Sequence, residues 1–444
     1  MIKKGTDMQK TKINTAVVEP AETTEQTEAP YKLTEGWKWE IANNIADIFT
    51  GNSINETVKK EKYTGISEGL NFIGTKDIDF DGTINYENGV KISDYENFKT
   101  IPSNTPLLCV EGGSAGKKIG ITSEKVCFGN KLCAFVCKNV EPKLLYYYLQ
   151  SNVFFYSFMK ERHGLIGGVS VGTLKNIPFP LPPTIEEQRR IVKRIESLFA
   201  KLDAAKEKAQ NVVDSFEARK AALLHKAFSG ELTASWRKRN GVADDSWEEK
   251  LFDSCIKKMQ NGLSKRFGEE GKEIVVLRLA NLGETNFDIS DLRTIKLTEK
   301  ERENYILHTD DVVMIRVNGS KSNVARQILV TSNDSWSFCD HIIRIVYELF
   351  CLPNYMVYFS YTKKYKDYIF ENMVSSAGQN TISRKGLANL EIPIPTLPEQ
   401  QEIVRILDNI LQKEQKAKQA AQTVLEQIDL LKKSILARAF RGEL

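Results

Sequence analysis

Two long stretches of the chain repeat apolar residues at alternating spacings of four and three. The first runs through Ile191, Ile195, Leu198, Leu202, Ala205, Ala209, Val212 and Phe216, then Leu223. The second runs through Ile403, Leu407, Ile410, Glu414, Ala417, Ala421, Val424, Ile428, Leu431 and Ile435. A heptad stripe held this long predicts coiled-coil helices, because it keeps one apolar seam facing a partner helix. Small Ala205/Ala209 and Ala417/Ala421 positions allow close backbone approach, while Arg219 and Glu414 interrupt the seam as register-setting polar positions. Each stretch follows prolines (Pro180, Pro182, Pro183; Pro393, Pro395, Pro398), which suit only the first turn of a helix. Each closes at a glycine, Gly230 or Gly442, the usual helix stop. At 1.5 Å per residue, ~40 helical residues span roughly 60 Å.

The two stretches are copies. Displaced by 212 residues, Glu187-Gln188 falls on Glu399-Gln400, Ile191-Val192 on Ile403-Val404, and Ala227-Phe228 on Ala439-Phe440, without a gap through Leu232 on Leu444. The segments before them share a weaker pattern. Each opens at a tryptophan, Trp37 or Trp247, and proceeds through a Gly turn, an extended run, and an apolar strand leading into a Gly-Ser loop (LLCVEGGSAGKKIG; VVMIRVNGSKSNVAR). A strand pair, an aromatic helix-like stretch and a closing Gly loop follow. Short β-rich runs with one helix near the end predict an α+β fold. The boundaries are a disordered extension (1–35), a β-rich domain (36–182), a helix (183–232), a linker (233–245), a second domain (246–395) and a second helix (396–444). If the helices pair antiparallel, the arrangement acquires pseudo-twofold symmetry.

Composition changes this picture little. Net charge is +4 over 444 residues, and no segment carries the positive excess expected of a chain that binds nucleic acid by phosphate neutralisation alone. No apolar run reaches the ~18 residues of a membrane span, so no membrane partner is expected. Seven cysteines without a C-x-x-C pair argue against a disulfide framework or zinc site and favour a reducing cytoplasm.

The paired strings PxxxEEQRRIV and PEQQEIVRIL, with AFSGEL and AFRGEL, each behind a variable β-rich region, resemble the specificity subunit of type I restriction-modification systems. The resemblance covers the chain from about Trp37 to Leu444. It implies two target recognition domains, each reading half of a bipartite double-stranded DNA site. It also implies two methyltransferase subunits that carry S-adenosylmethionine, and restriction/translocase subunits using ATP and Mg²⁺. No cofactor or metal is expected on this chain itself. It should not be an enzyme, because it lacks a methyltransferase cofactor loop and an Asn/Asp-Pro-Pro-aromatic motif. Gly112–Lys118 departs from a phosphate-binding loop, with Lys118 replacing the Ser/Thr that would hold Mg²⁺. The four histidines (163, 225, 308, 341) lack metal spacing, and Asp340-His341 reads as structural.

If partners clamp the phosphates, this chain need supply only base contacts. Arg and Lys suit guanine, and Asn and Gln suit adenine. The candidates on glycine-punctuated loops are Thr75, Lys76, Ser114, Lys117, Lys118, Arg162 and His163 in the first domain. In the second they are Arg278, Asn281, Arg316, Asn318, Ser320, Lys321, Gln379 and Asn380. The near-neutral charge leaves an alternative: a coiled-coil scaffold joining two partner-binding domains without reading DNA.

Overall fold

The computed structural model describes residues 31–162 and 167–444, so the extension before Tyr31 and His163 lie outside the described residues. The described residues divide into two compact units, one up to Asp203 together with 428–444, the other 204–427.

In the first unit a four-stranded antiparallel sheet has the order Ala46–Thr50, Leu132–Cys137, Pro106–Cys109, Ile119–Ile121. Its central strands are buried on both faces, and successive side chains serve different cores. Leu107 and Ala134 face a second sheet, built around the parallel pairing of Leu70–Ile73 with Val126–Phe128. Leu108, Cys133 and Phe135 face the helices Pro142–Leu149 and Asn152–Lys160. A ribbon of Lys38–Ile41 with Pro178–Leu181 leads into the first long helix.

The second unit repeats the plan. Its four-stranded sheet has the order Ile256–Asn261, Ile342–Tyr347, Val312–Ile315, Gln327–Leu329, with Val313 and Ile342 facing one core and Val312, Met314, Ile343 and Ile345 the other. At equivalent turns, Gly51 and Gly262 lie so close to the carbonyls of Phe128 and Cys339 that a Cβ would sit 2.0 and 2.1 Å from the oxygens. The second unit also carries a ribbon of Val317–Asn318, Gln379–Thr381 and Val374–Ser376. The α+β expectation describes both units.

The long helices are α1 (Ile185–Asp214), α2 (Phe216–Phe228) and α3 (Leu397–Ala439). The single helix expected over 183–232 is therefore bent at Ser215. The Ser215 amide keeps its bond to the Asn211 carbonyl at 3.1 Å, and its hydroxyl bonds that same carbonyl and also meets Arg219, an added bond of the kind that bends helices. In the first unit the start of α1 runs antiparallel to the end of α3, with Lys432 Nζ 2.6 Å from Asp203 Oδ1 and Arg190 donating to the Leu444 carbonyl at 2.7 Å. In the second, α2 runs antiparallel to the first part of α3. Arg219 meets Glu414 at 2.8 Å, and Lys418 Nζ lies 3.8 Å from Glu217. Arg219 and Glu414, the seam's polar interruptions, thus face each other as a pair.

The seam needs one correction. Ile191, Ile195, Phe216, Ile403, Leu407 and Ile428 are buried, and Leu198, Leu202, Val212, Leu223, Ile410 and Ile435 are half-buried. Ala417, Val424 and Leu431, however, are exposed, the last two by 39% and 47%. The inward row on α3 contains Val404, Leu411, Lys418, Leu425, Lys432 and Ala439 instead. Its two lysines lay their hydrocarbon stems inward and place Nζ 4.3 Å from the Phe216 ring centre and 5.1 Å from that of Phe199. The second boundary correction concerns 31–35, expected to be disordered. Tyr31 Oη donates to the Phe440 carbonyl at 2.6 Å, and Thr34 Oγ1 to that of Arg441 at 2.7 Å.

The repeated tails explain themselves here. Ala439 and Phe440 complete the core of the first unit, and Ala227 with Phe228 that of the second. Each tail therefore packs on the domain that does not immediately precede its own helix. Phe440 stands 5.2 Å from Tyr148, and Phe228 4.9 Å from Tyr355. Those tyrosines donate to Pro178 and Pro393 carbonyls, both at 2.6 Å. The repeated glutamines match as well: Gln188 accepts from the Glu141 amide at 2.9 Å, and Gln400 from the Leu352 amide at 2.8 Å.

Candidate functional site

In the first unit three loops at one end of the central sheet are tied together. Thr75 and Lys76 sit in a single turn of 3₁₀ helix, Thr75–Asp77, which the buried Asp77 carboxylate closes by accepting from the Gly74 amide at 2.7 Å. Lys118, just before the Ile119–Ile121 strand and opposite the end of Pro106–Cys109, donates to the Thr75 carbonyl at 3.1 Å and lies 5.2 Å over the exposed ring of Phe80. Arg162 donates to the carbonyls of Gly167 and Gly112, at 3.0 and 3.1 Å, clamping the Gly-Ser loop. Ser114 is half-buried and its carbonyl accepts from the amides of Lys117 and Lys118, while the Lys76 and Lys117 side chains are exposed. Gly116 has φ +73°, and a Cβ there would lie 2.7 Å from the Phe158 ring. Packing thus accounts for a glycine in the string that superficially suggests a phosphate loop.

The second unit builds the same cluster from other side chains. Asn281 takes the place of Asp77: its Oδ1 accepts from the Arg278 amide at 3.0 Å. Arg326 takes the place of Lys118, reaching back to the Leu282 carbonyl at 2.7 Å and to Asn323 Oδ1 at 3.0 Å. Burial pulls its guanidinium below the usual arginine range. Arg326 is absent from the candidates above; its equivalence to Lys118 emerges only from the shared strand end, where both carbonyls accept from the last strand residue. Arg278 bonds both the carbonyl and the carboxylate of Asp291 at 2.9 Å. Arg316 is half-buried, its amide bound to the His341 carbonyl at 2.8 Å. Asn318 Oδ1 accepts from the Ser320 amide at 2.8 Å, and Ser320, Lys321 and Gln379 are exposed.

Two candidates are corrected. Asn281 is 2% exposed and its Nδ2 donates to the carbonyls of Asp288 and Asp291, at 3.0 and 2.9 Å. Asn380 is 6% exposed, donates to the Asn318 and Gly319 carbonyls, and accepts from Ser375 Oγ at 2.6 Å. Both amides are committed to holding loops together, so neither presents an edge to an adenine in this conformation.

Chemistry for bond breaking is not assembled among these residues. The aromatic stretch serves the core: Tyr148 is buried, and desolvation pushes its hydroxyl well above the ordinary tyrosine range. Desolvation also pushes the Cys133 and Cys137 thiols up to about 12, which suppresses the thiolate that nucleophilic work needs. Among the described residues no helix is long and apolar enough to cross a membrane. Cys339, Asp340 and His341 are the one group there with metal-ligand atoms drawn together.

A family model described as the type I restriction modification DNA specificity domain matches residues 35–214 and 264–427. The type I restriction enzyme StySPI specificity subunit of Salmonella potsdam is 29% identical over 436 residues, covering 93% of this chain and 90% of that protein. The EcoKI specificity subunit of Escherichia coli K12 is 27% identical over 288 residues, covering 63% and 61%. Among solved structures, the HsdS subunit from Thermoanaerobacter tengcongensis matches with a TM-score of 0.65 at 20% identity, over 94% of this chain and all of that one. A chain solved in work on complex assembly and conformational transition of the type I R-M system matches at 0.66 and 18%.

Proposed function

Because the chain belongs to the type I restriction-modification DNA specificity family, we propose that its two globular domains each read one half of a bipartite DNA target through major-groove base contacts. The chain is a non-catalytic recognition subunit, with methylation and cleavage carried by partner subunits. One observation supports the two-reader scheme above others: both units share a framework down to the closing of the 3₁₀ turn and the cation behind it, yet carry different side chains on the loops. Asp77 with Lys118 and Asn281 with Arg326 build the frame, while the exposed loop positions hold Lys76 and Lys117 in one unit and Ser320, Lys321 and Gln379 in the other. A common frame with unlike loops is what reading two unlike half-sites requires. The scaffold alternative has no comparable support.

The exposed Lys76 and Lys117 of the first domain, and Ser320, Lys321 and Gln379 of the second, are the leading base contacts. Thr75, Ser114, Arg162, Arg278, Arg316 and Asn318 adjoin them. A good bidentate pair contributes roughly 1–3 kcal/mol of discrimination. The paired helices set the gap between half-sites and dock two adenine methyltransferase subunits, which restriction/translocase subunits join. S-adenosylmethionine, ATP and Mg²⁺ reside on those partners, in the cytoplasm. The test is replacement of residues 246–395 by the corresponding region of a relative with a different target. Single-molecule sequencing of adenine methylation, in a methylation-free host that also carries the partner methyltransferase, should show one half of a split motif changed and the other kept. An unchanged motif would overturn the assignment.

A further inference from the structure

Between the strands Ser337–Phe338 and Ile342–Tyr347, a tight turn gathers three chemically distinct ligands. His341 Nδ1 lies 3.1 Å from Asp340 Oδ1 and 4.0 Å from Cys339 Sγ, and all three donor atoms fall within 4.8 Å of one another. In a tetrahedral zinc site, bonds of about 2.3 Å to sulfur and 2.0–2.2 Å to nitrogen or oxygen set neighbouring ligand atoms roughly 3.3–3.6 Å apart. The nitrogen–oxygen separation falls just short of that range and the sulfur–nitrogen one just beyond it, with the third within 4.8 Å. All three residues are half-buried, hence shielded yet reachable.

The fold does not ask for these residues. In the first domain the same turn is made by Gly129, Asn130 and Lys131, with the same hydrogen bonds. Gly129 N bonds Ile73 O as Cys339 N bonds Leu277 O, and Asn130 N bonds Asn52 O as Asp340 N bonds Leu263 O. Leu132 N bonds Gly129 O as Ile342 N bonds Cys339 O, and Val110 N bonds Lys131 O as Arg316 N bonds His341 O. Backbone geometry therefore explains the turn in both domains, and packing on two apolar clusters accounts for the bulk of Cys339, but neither calls for a carboxylate and an imidazole converging on that thiol. A thiolate, an imidazole and a carboxylate together suit Zn²⁺ far better than Mg²⁺ or Ca²⁺, which prefer all-oxygen shells.

We propose that Cys339, Asp340 and His341 bind a single Zn²⁺-type ion in the second domain, with the fourth position left to water. The ion braces a turn whose His341 carbonyl anchors Arg316, the residue leading into the exposed loop of Ser320 and Lys321. The first domain has no counterpart. The site stands independently of DNA reading, and so does its test.

The experiment is titration of the purified, metal-free full chain with CoCl₂ alone, followed by absorbance, then displacement with ZnCl₂. A near-ultraviolet thiolate-to-cobalt band and tetrahedral visible bands should saturate at one equivalent and vanish on adding zinc. Cys339→Ser should remove the thiolate band, and His341→Gln should weaken binding by about tenfold or more. A triple change, Cys339→Gly with Asp340→Asn and His341→Lys, installs the first domain's turn, and its metal-free melting temperature, lowered by the lost Cys339 packing, serves as its own baseline. Zinc should then raise the melting temperature of the parent and not of the triple variant. A thiolate band that survives Cys339→Ser, or none at stoichiometric cobalt, would overturn the site and leave Asp340 merely orienting His341.

Discussion

Glu399 and Glu187 hold the same place in the two repeats, in unlike surroundings. Glu399 is fully buried and takes two 2.6 Å hydrogen bonds, from Thr233 and from the nearly buried guanidinium of Arg237. Glu187 stands at the surface, paired with Arg190 at 2.7 Å. Removing one partner of a buried pair strands the other charge, which costs about 3–5 kcal/mol, whereas an exposed pair contributes about 0–1 kcal/mol. Glu399→Ala should lower the urea midpoint of the second unit by the larger amount, and Glu187→Ala should barely move that of the first. Sequence alone displayed the equivalence of these glutamates but not their burial, because Arg237 comes from the linker and no periodicity places it there. The same limit governs the loop candidates. Asn281 and Asn380 have the side chain that reads adenine, but the same amide is also the best available tie between two loops. Only burial distinguishes the uses. Lys76, Lys117, Lys321 and Gln379, chosen on the same grounds, are exposed.

Along α3 the seam was legible in period and shifted in phase. One row, Leu407, Glu414, Ala421, Ile428 and Ile435, is shared by the expectation and the structure. The other, expected through Ile403, Ile410, Ala417, Val424 and Leu431, keeps only its first two members inward, and Lys418 and Lys432 turn inward in place of the rest. Lysine is amphipathic, and here its stem packs on Phe216 and Phe199 while the ammonium reaches Glu217 and Asp203. Changing Val424 or Leu431 to serine should leave thermal stability within about 0.5 kcal/mol, as at ordinary surface positions. Ile428→Ala, in the inner row, should cost about 2–5 kcal/mol. Thermal melts of the three variants test the phase directly, and a costly Leu431→Ser would restore the original seam.

Pairing in opposite directions makes length a property of two segments at once. Deleting residues 207–213 alone removes one heptad from one partner and should displace Arg219 from Glu414, lowering the melting temperature. Deleting 421–427 as well removes the matching heptad from the other. The double deletion should recover most of the lost stability, since apolar phase and polar pairing are both restored. It shortens each helix by about 10 Å, equivalent to roughly three base pairs. Methylome sequencing with the partner subunits should then show the two half-motifs unchanged and the gap between them reduced; an unchanged gap would remove the helices' role in spacing.

The exchange of tails has a consequence for how the chain comes into being. The ribosome delivers Tyr148, Phe179 and Ile195 long before Leu436, Ala439 and Phe440, which belong to the same core. At about 5–20 residues per second, more than ten seconds separate them. The N-terminal domain must wait through the making of the entire second domain with a core still missing an aromatic ring, so the order of manufacture reverses the usual habit of finishing the first domain first. Chains cut short by a premature stop would lack that closing piece and stand marked, by exposed apolar surface, for chaperones and proteases.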